Sequence, residues 1–362
     1  MTNFFQQRSL WIGLIALLPA CDRPALVSGK VLNPSSPLVQ TVGTLETLDQ
    51  EFHRYCWITY TPSTFDPTVT PRYWPSRSEV EADLQSLRAV GIQGLVTYRA
   101  DYVDRDQPQS LIPLPELAAD LGFEGLILGI WDPLSESEWN AVGVMQHHPL
   151  VRAFVVGNEG LGKRYDWHTL QTAIVGLRNR SGKPVTTSEE LPDYLANDRL
   201  RQLGDWVFPN AHPYFAEAKE PLAAVEWTDR WFQRLDLLTT LPVVFKEVGL
   251  PTDGDPAVSE TAQADYYQAL ADRSVAFVFF TAFDLPWKRS TGQARASLGH
   301  NPEPYWGLFK SDRSPKQAAK HLQGKLCLKP VFDQSLTPDR LKADRDKLQF
   351  VLVADRDLSF DQ

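Results

Sequence analysis

Two glutamates end apolar runs of this chain in the same manner. Glu159 follows Asn158 at the tip of "VRAFVVGNEG" (151–160), and Glu247 ends the apolar part of "PVVFKEVG" (242–249). A loop holds a solvated carboxylate more cheaply than a buried strand does, so the placement asks for a purpose. A pair of carboxylates suits cleavage of a glycosidic bond: one, kept protonated, donates to the leaving oxygen, and the other, ionised, attacks the anomeric carbon. The transition state resembles an oxocarbenium ion, which a nearby carboxylate stabilises directly. Aromatic residues end other runs, namely Tyr60, Tyr98, Tyr214, Phe283 and Trp287. Their flat faces suit sugar rings, although most aromatics in any chain serve as packing. One strand-end Glu alone reads as a salt-bridge partner; two, in this company, favour catalysis.

Such residues need a frame. Eight short apolar runs occupy 55–60, 92–98, 124–131, 152–158, 183–188, 205–214, 242–249 and 275–283. They are apolar without polar alternation, as strands covered on both faces are in parallel sheets. Amphipathic helical patterns separate them. In 76–91, Val80, Leu84 and Leu87 form one stripe, Ser76 with Glu79 (or Ser78 with Glu81) fits a capping box, and Gly91 suits the C-terminal cap. Segments 170–182 and 259–273 repeat the pattern. This predicts an α/β chain folded as a closed (β/α)8 TIM barrel, a single catalytic domain over 48–326. The rival, a doubly wound open sheet, needs fewer strands and a Gly-rich phosphate turn, which is missing. In a barrel the fourth and seventh strands face each other across the mouth, so Glu159 and Glu247 would meet there.

Other chemistries find less support. The 36 basic against 45 acidic residues give a net charge of −9, so no basic surplus exists to replace the counterions of a nucleic acid. His212 has no HExxH motif or His/Asp cluster beside it, so no metal is expected. No GxSxG elbow occurs, and no cofactor is implied.

At the N-terminus a short apolar run, Leu10 to Ala20, precedes Cys21. It is too short to span a bilayer but suits a secretory signal. "LPAC" (18–21) resembles a lipoprotein signal, so residues 1–20 are expected to be removed and Cys21 to be lipidated, with 21–47 as a tether. Export to the periplasm or cell surface follows. Cys56 lies in an apolar run and reads as a buried free thiol, although pairing with Cys327 is open. Residues 327–362 form an extension of unassigned role.

In order along the chain, "VGNEGL" (156–161), "PVTTSEE" (184–190), "NAHPYF" (210–215), "KEVGLPTDG" (246–254), "AFDLPWK" (282–288) and "YWGLFKSDRSPK" (305–316) resemble the motifs of glycoside hydrolase family 17, a clan A family, in its bacterial β-1,3-glucanase-like branch. Leu250 stands where that family has Trp, and Thr252 where Ser is common. The resemblance implies a retaining glycosidase of β-1,3-glucan or a related β-glucan. Glu159 would be general acid and then base, Glu247 the nucleophile, and Asn158 a hydrogen-bond partner of the sugar 2-hydroxyl. Tyr214 would orient Glu247 or line the donor subsite, and Trp287 and Lys288 would shape the donor site. Glu189 would bind a sugar hydroxyl or form a structural ion pair; His212 would bind sugar or tune the nucleophile. Two alternatives stand beside hydrolysis: transfer to another sugar with the same residues, and an inactive polysaccharide-binding barrel. A monomer is expected.

Overall fold

Seven of the eight apolar runs form strands in a computed structural model, which describes residues 48–291 and 299–322. They are β1 (Trp57–Tyr60), β2 (Gly94–Thr97), β3 (Gly125–Ile130), β4 (Val151–Val156), β5 (Val185–Thr186), β6 (Phe245–Val248) and β7 (Phe277–Phe279). All pair in parallel, in the order β5-β4-β3-β2-β1-β7-β6. The described part is an α/β unit whose curled sheet is flanked by helices. The signal, tether, Cys21 and the extension after 326 lie outside the described residues.

The sixth run, 205–214, forms no strand. Pro209 has no N–H to give a ladder, and Pro213 starts a short 3-10 turn, Pro213–Ala216. The segment nevertheless lies between the two edge strands. Asp205 N bonds Val185 O at 3.0 Å on one side, and Val244 N and Lys246 N bond Val207 O and Pro209 O at 3.0 and 2.8 Å on the other. A hairpin after β2, Val103–Asp104 with Gln107–Leu111, has no counterpart among the apolar runs.

Alternation along each strand divides the core in two. Trp57, Val96, Ile127, Ala153, Val155, Trp206, Phe208, Val244 and Val278 gather into one cluster from every side of the curl. Ile58, Tyr60, Leu95, Leu126, Phe154, Val156 and Phe245 join the second, shared with helix residues such as Val80, Leu84 and Leu87. The helices follow their sequence signals. α1 (Arg77–Ala89) has the full Ser76/Glu79 capping box. α2 (Trp167–Ser181) starts at Asp166 and stops at left-handed Gly182. α3 (Glu260–Ala271) is capped by Ser259. Cys56 is buried but disulfide-bonded, which corrects the free-thiol expectation; the chain's other cysteines lie outside the described residues. No helix among the described residues is long and apolar enough to cross a membrane.

Candidate active site

Both glutamates reach one cleft by local departures from strand regularity. At the end of β4, Gly157 adopts φ +80° and Glu159 itself φ +49°, a left-handed conformation that is rare for a residue with a side chain. The turn brings Asn158 and Glu159, adjacent in sequence, to the same cleft. Glu159 N bonds Ser188 O at 2.9 Å, and the Glu159 Oε1 accepts from Asn210 Nδ2 at 2.7 Å. The other side uses a bulge. Phe245 pairs with Phe277 but Val248 pairs with Phe279, so β6 has one residue more than its neighbour. That extra residue lets Lys246 and Glu247 both leave the helix-facing layer that holds Phe245 and Val248.

One carboxylate oxygen of Glu159, one of Glu247 and an imidazole nitrogen of His212 all lie within 4.8 Å of one another. Around Glu247, Tyr98 Oη donates to Oε1 at 2.7 Å, His212 Nε2 lies 3.2 Å from Oε2, and Lys246 Nζ lies 3.5 Å from Oε1. Burial works to raise the Glu247 pKa, but His212, Lys246 and Lys288 outweigh it and hold it at about 2. Glu247 is therefore ionised at neutral pH. Burial, reinforced by the Glu247 charge, pushes the Tyr98 phenol upward, so it stays a donor. A cation beside this trio would have to share the space with the Lys246 ammonium.

The cleft is about 560 Å³, within the range of small-molecule sites. Its walls include Tyr98, Trp131, Phe215, Phe280, Trp287 and Trp306. Among the expected residues, Tyr98, Asn158, Glu159, His212, Glu247, Trp287 and Lys288 line it. Lys288 Nζ stands 3.8 Å from Glu303 and 5.1 Å from the Phe280 ring centre.

Four expectations are corrected. Tyr60 points away from the cleft, because Thr59 and Thr61 take the opposite face; it is fully buried and donates to Asp83 at 3.1 Å. Phe283 is likewise in the helix-facing layer, with its ring 6.4 Å from that of Tyr60. Tyr214 does not reach Glu247; its Oη donates to Asp255 at 2.6 Å. Glu189 binds neither sugar space nor a cation. Its buried Oε1 accepts from Tyr165 Oη at 3.1 Å, Leu161 N at 3.2 Å and Gly160 N at 3.4 Å, and burial raises its pKa to about 7. It fastens the turn that carries Glu159.

Several site residues carried no sequence signal of their own. Asn210 and Trp306 sit inside motifs quoted above, but nothing singled them out. Lys246 had one unused signal, a cation in the middle of an apolar run, which a buried strand tolerates only when it is paired.

A family model described as the BtgE/BtgC glycoside hydrolase domain matches residues 58–307, well over half of the 362-residue chain. The chain belongs to this glycoside hydrolase family. It is an enzyme of the glycosidase type. Solved structures resemble it in fold. One is a glycoside hydrolase family 17 β-1,3-glucanosyltransferase from Rhizomucor miehei, 19% identical, TM-score 0.57, aligned over 74% of this chain and 96% of that one. An endo-laminarinase from Formosa is 18% identical, TM-score 0.53, over 75% and 88%. A GH2 β-galacturonidase from Eisenbergiella tayi is 15% identical, TM-score 0.54, over 76% and 51%. No curated protein matches the chain by sequence.

Proposed function

We propose that the protein is a retaining glycosidase of family 17 character, acting on β-1,3-glucan or a related β-glucan as a monomer. The observation that carries this is the 4.8 Å limit on the separation of carboxylate oxygens from Glu159 and Glu247. Direct attack needs carboxyl groups about 5–5.5 Å apart, whereas an inverting pair leaves about 6.5–9.5 Å for a water. In this reading Glu247, ionised and held by Tyr98 and His212, attacks the anomeric carbon. Glu159 protonates the leaving oxygen and then takes a proton from the incoming water. Asn158 and the aromatic walls hold the sugar. The (β/α)8 barrel is part of the same reading, with 205–211 as the stave that closes β5 onto β6 through the bonds described above. The glucan rests on the motif resemblance; the fold likeness to two proteins named for β-1,3-glucan chemistry agrees with it.

Transfer to a sugar acceptor is the second reading. A hollow of about 470 Å³ shares His212 and Phe215 with the cleft and also includes Asn210, the partner of Glu159. An acceptor seated there would lie beside the general base. Incubation with β-1,3-gluco-oligosaccharides tests both readings. Proton NMR should show β-anomeric products first, and Glu247→Gln should abolish turnover. First-formed α-anomers would sink the retaining mechanism, and products longer than the substrate would identify transfer.

Export with a lipid anchor at Cys21 belongs to the proposal as well. The disulfide at Cys56 supports the export part of this reading, because such bonds persist in oxidising compartments. Cys21→Ser should move the protein from the membrane to the soluble fraction; unchanged membrane association would refute the anchor.

A further inference from the structure

Two carboxylates suffice to write the bond changes, which leaves Lys246 without a task. Its side chain is almost completely buried, and a buried cation is costly unless something needs its charge. Lys246 Nζ donates to Asn158 Oδ1 and lies 3.5 Å from Glu247 Oε1, with the Tyr98 ring centre 4.4 Å away. From Asn158 a polar chain continues. Asn210 Nδ2 donates to Asn158 Oδ1 at 3.1 Å and to Glu159 Oε1 at 2.7 Å. Asn210 is itself oriented by Ser188 Oγ, which donates to its Oδ1 at 2.9 Å. The ammonium thus touches one glutamate directly and reaches the other through two amides.

We propose that Lys246 is a further catalytic group, a fixed counter-charge that serves the Glu247 carboxylate in the free enzyme and the Glu159 carboxylate once Glu247 has become a glycosyl ester. This rests on the retaining reading above. The retaining cycle starts with the proton on the acid and the negative charge on Glu247. When Glu247 bonds to the anomeric carbon, the bond to the leaving oxygen breaks and the Glu159 proton goes to that oxygen. The negative charge is then on Glu159. When water attacks, its proton passes to Glu159, the ester bond breaks, and the charge returns to Glu247. Each state has one negative charge in the pair, and Lys246 is placed to face it in both.

The surrounding charges fit that role. Burial holds the Lys246 pKa below the ordinary lysine value, and Glu247, Glu159 and Glu189 work against that shift. His212 and Lys288 also favour the ionised form of Glu247, and Lys288 stands 3.8 Å from Glu303. A neutral donor would satisfy Asn158 Oδ1 equally well, so the positive charge is the feature that needs explaining.

Lys246→Met keeps the stem and removes the charge. With a 2,4-dinitrophenyl β-1,3-glucobioside, whose leaving group needs no proton, breakdown of the glycosyl-enzyme should slow by about 100-fold. A burst should then precede the steady state, and the acid limb of kcat/KM should move up by about one pH unit or more. Lys246→Arg should recover a large part of both effects. Rates within threefold of native, with an unmoved acid limb, would overturn the proposal. A measurement on native protein covers the case in which Lys246→Met does not fold. In protein trapped with a 2-deoxy-2-fluoroglycoside on Glu247, the Lys246 ammonium should persist in nitrogen NMR at neutral pH; its loss on trapping would overturn the proposal. Native protein that forms no such adduct and cleaves neither substrate would instead refute the retaining reading on which the proposal rests.

Discussion

Gly160→Ala separates the placement of Glu159 from its chemistry. Gly160 is not one of the glycines with positive φ, so alanine brings no backbone strain there. The effect is contact alone. An added Cβ would lie 2.3 Å from Tyr165 Cε1, 2.5 Å from Cζ and 2.7 Å from Oη, where ordinary contact begins at 3.4 Å. Tyr165 cannot swing away freely, because its hydroxyl is bonded to Glu189, which also binds the Gly160 and Leu161 amides. The turn itself must therefore yield by about 1 Å, and a misplacement of that size at a reacting group costs about 100-fold in rate. Overpacking should also lower stability by about 1–3 kcal/mol. The assay compares kcat/KM, which reports formation of the glycosyl-enzyme, on a β-1,3-gluco-oligosaccharide, whose sugar leaving group needs a proton, and on the 2,4-dinitrophenyl glycoside, whose leaving group does not. The first should fall about 100-fold and the second less than about fivefold, since proton donation is the only contribution of Glu159 to that step. Equal losses on the two substrates, or none, would refute the reasoning that ties this turn to the acid.

Two further outcomes follow from the burial of polar groups. Tyr60→Phe should leave kcat and KM unchanged while costing about 1–2 kcal/mol, because buried Asp83 loses one donor but keeps Ser63 and Arg313; a large activity loss would return Tyr60 to the cleft. For Glu189 the sign is set by its raised pKa of about 7. The native state holds the proton more tightly than the unfolded chain, so native stability falls as pH rises from about 4.5 to about 7, by at most ~1.4 kcal/mol per pH unit. Glu189→Gln removes that slope, and melting curves at pH 5 and pH 7.5 should show its stability improving relative to native at the higher pH. Glu138, also raised to about 7, is present in both proteins and cancels. A pH-independent difference would show that Glu189 does not titrate in this range.

The parts legible in the sequence were those in which one residue type implies one placement. Glu159 and Glu247 were readable because a carboxylate at the tip of an apolar run has few uses. The helix at 77–89 was readable because its capping box and apolar stripe agree. The misread residues share a different cause. Tyr60, Phe283 and Tyr214 also follow apolar runs, but being near a strand's end does not say which face a side chain takes. Face depends on register and on local turns, and at the two glutamates it is set by the Gly157 turn and the bulge in β6. The same limit hid Lys246, whose neighbour Glu247 would face the opposite way in a regular strand. The run at 205–214 misled for another reason: its apolar density is that of a buried stave, but Pro209 withholds one donor and the pairing is reduced to isolated bridges without loss of burial.

The bulge in β6 also bears on how the site moves. The distance between Glu159 and Glu247 is set by two strand ends on opposite sides of the cleft, so any breathing of the sheet changes it. Lys246 and Glu247 are joined by a single peptide bond and turned to the same side by the same bulge. Their separation is fixed by covalent geometry and two side-chain torsion sets, and it is insulated from the collective motion. On the proposed mechanism, any widening of the mouth would leave Glu247 beside Lys246 while its distance to Glu159 changes.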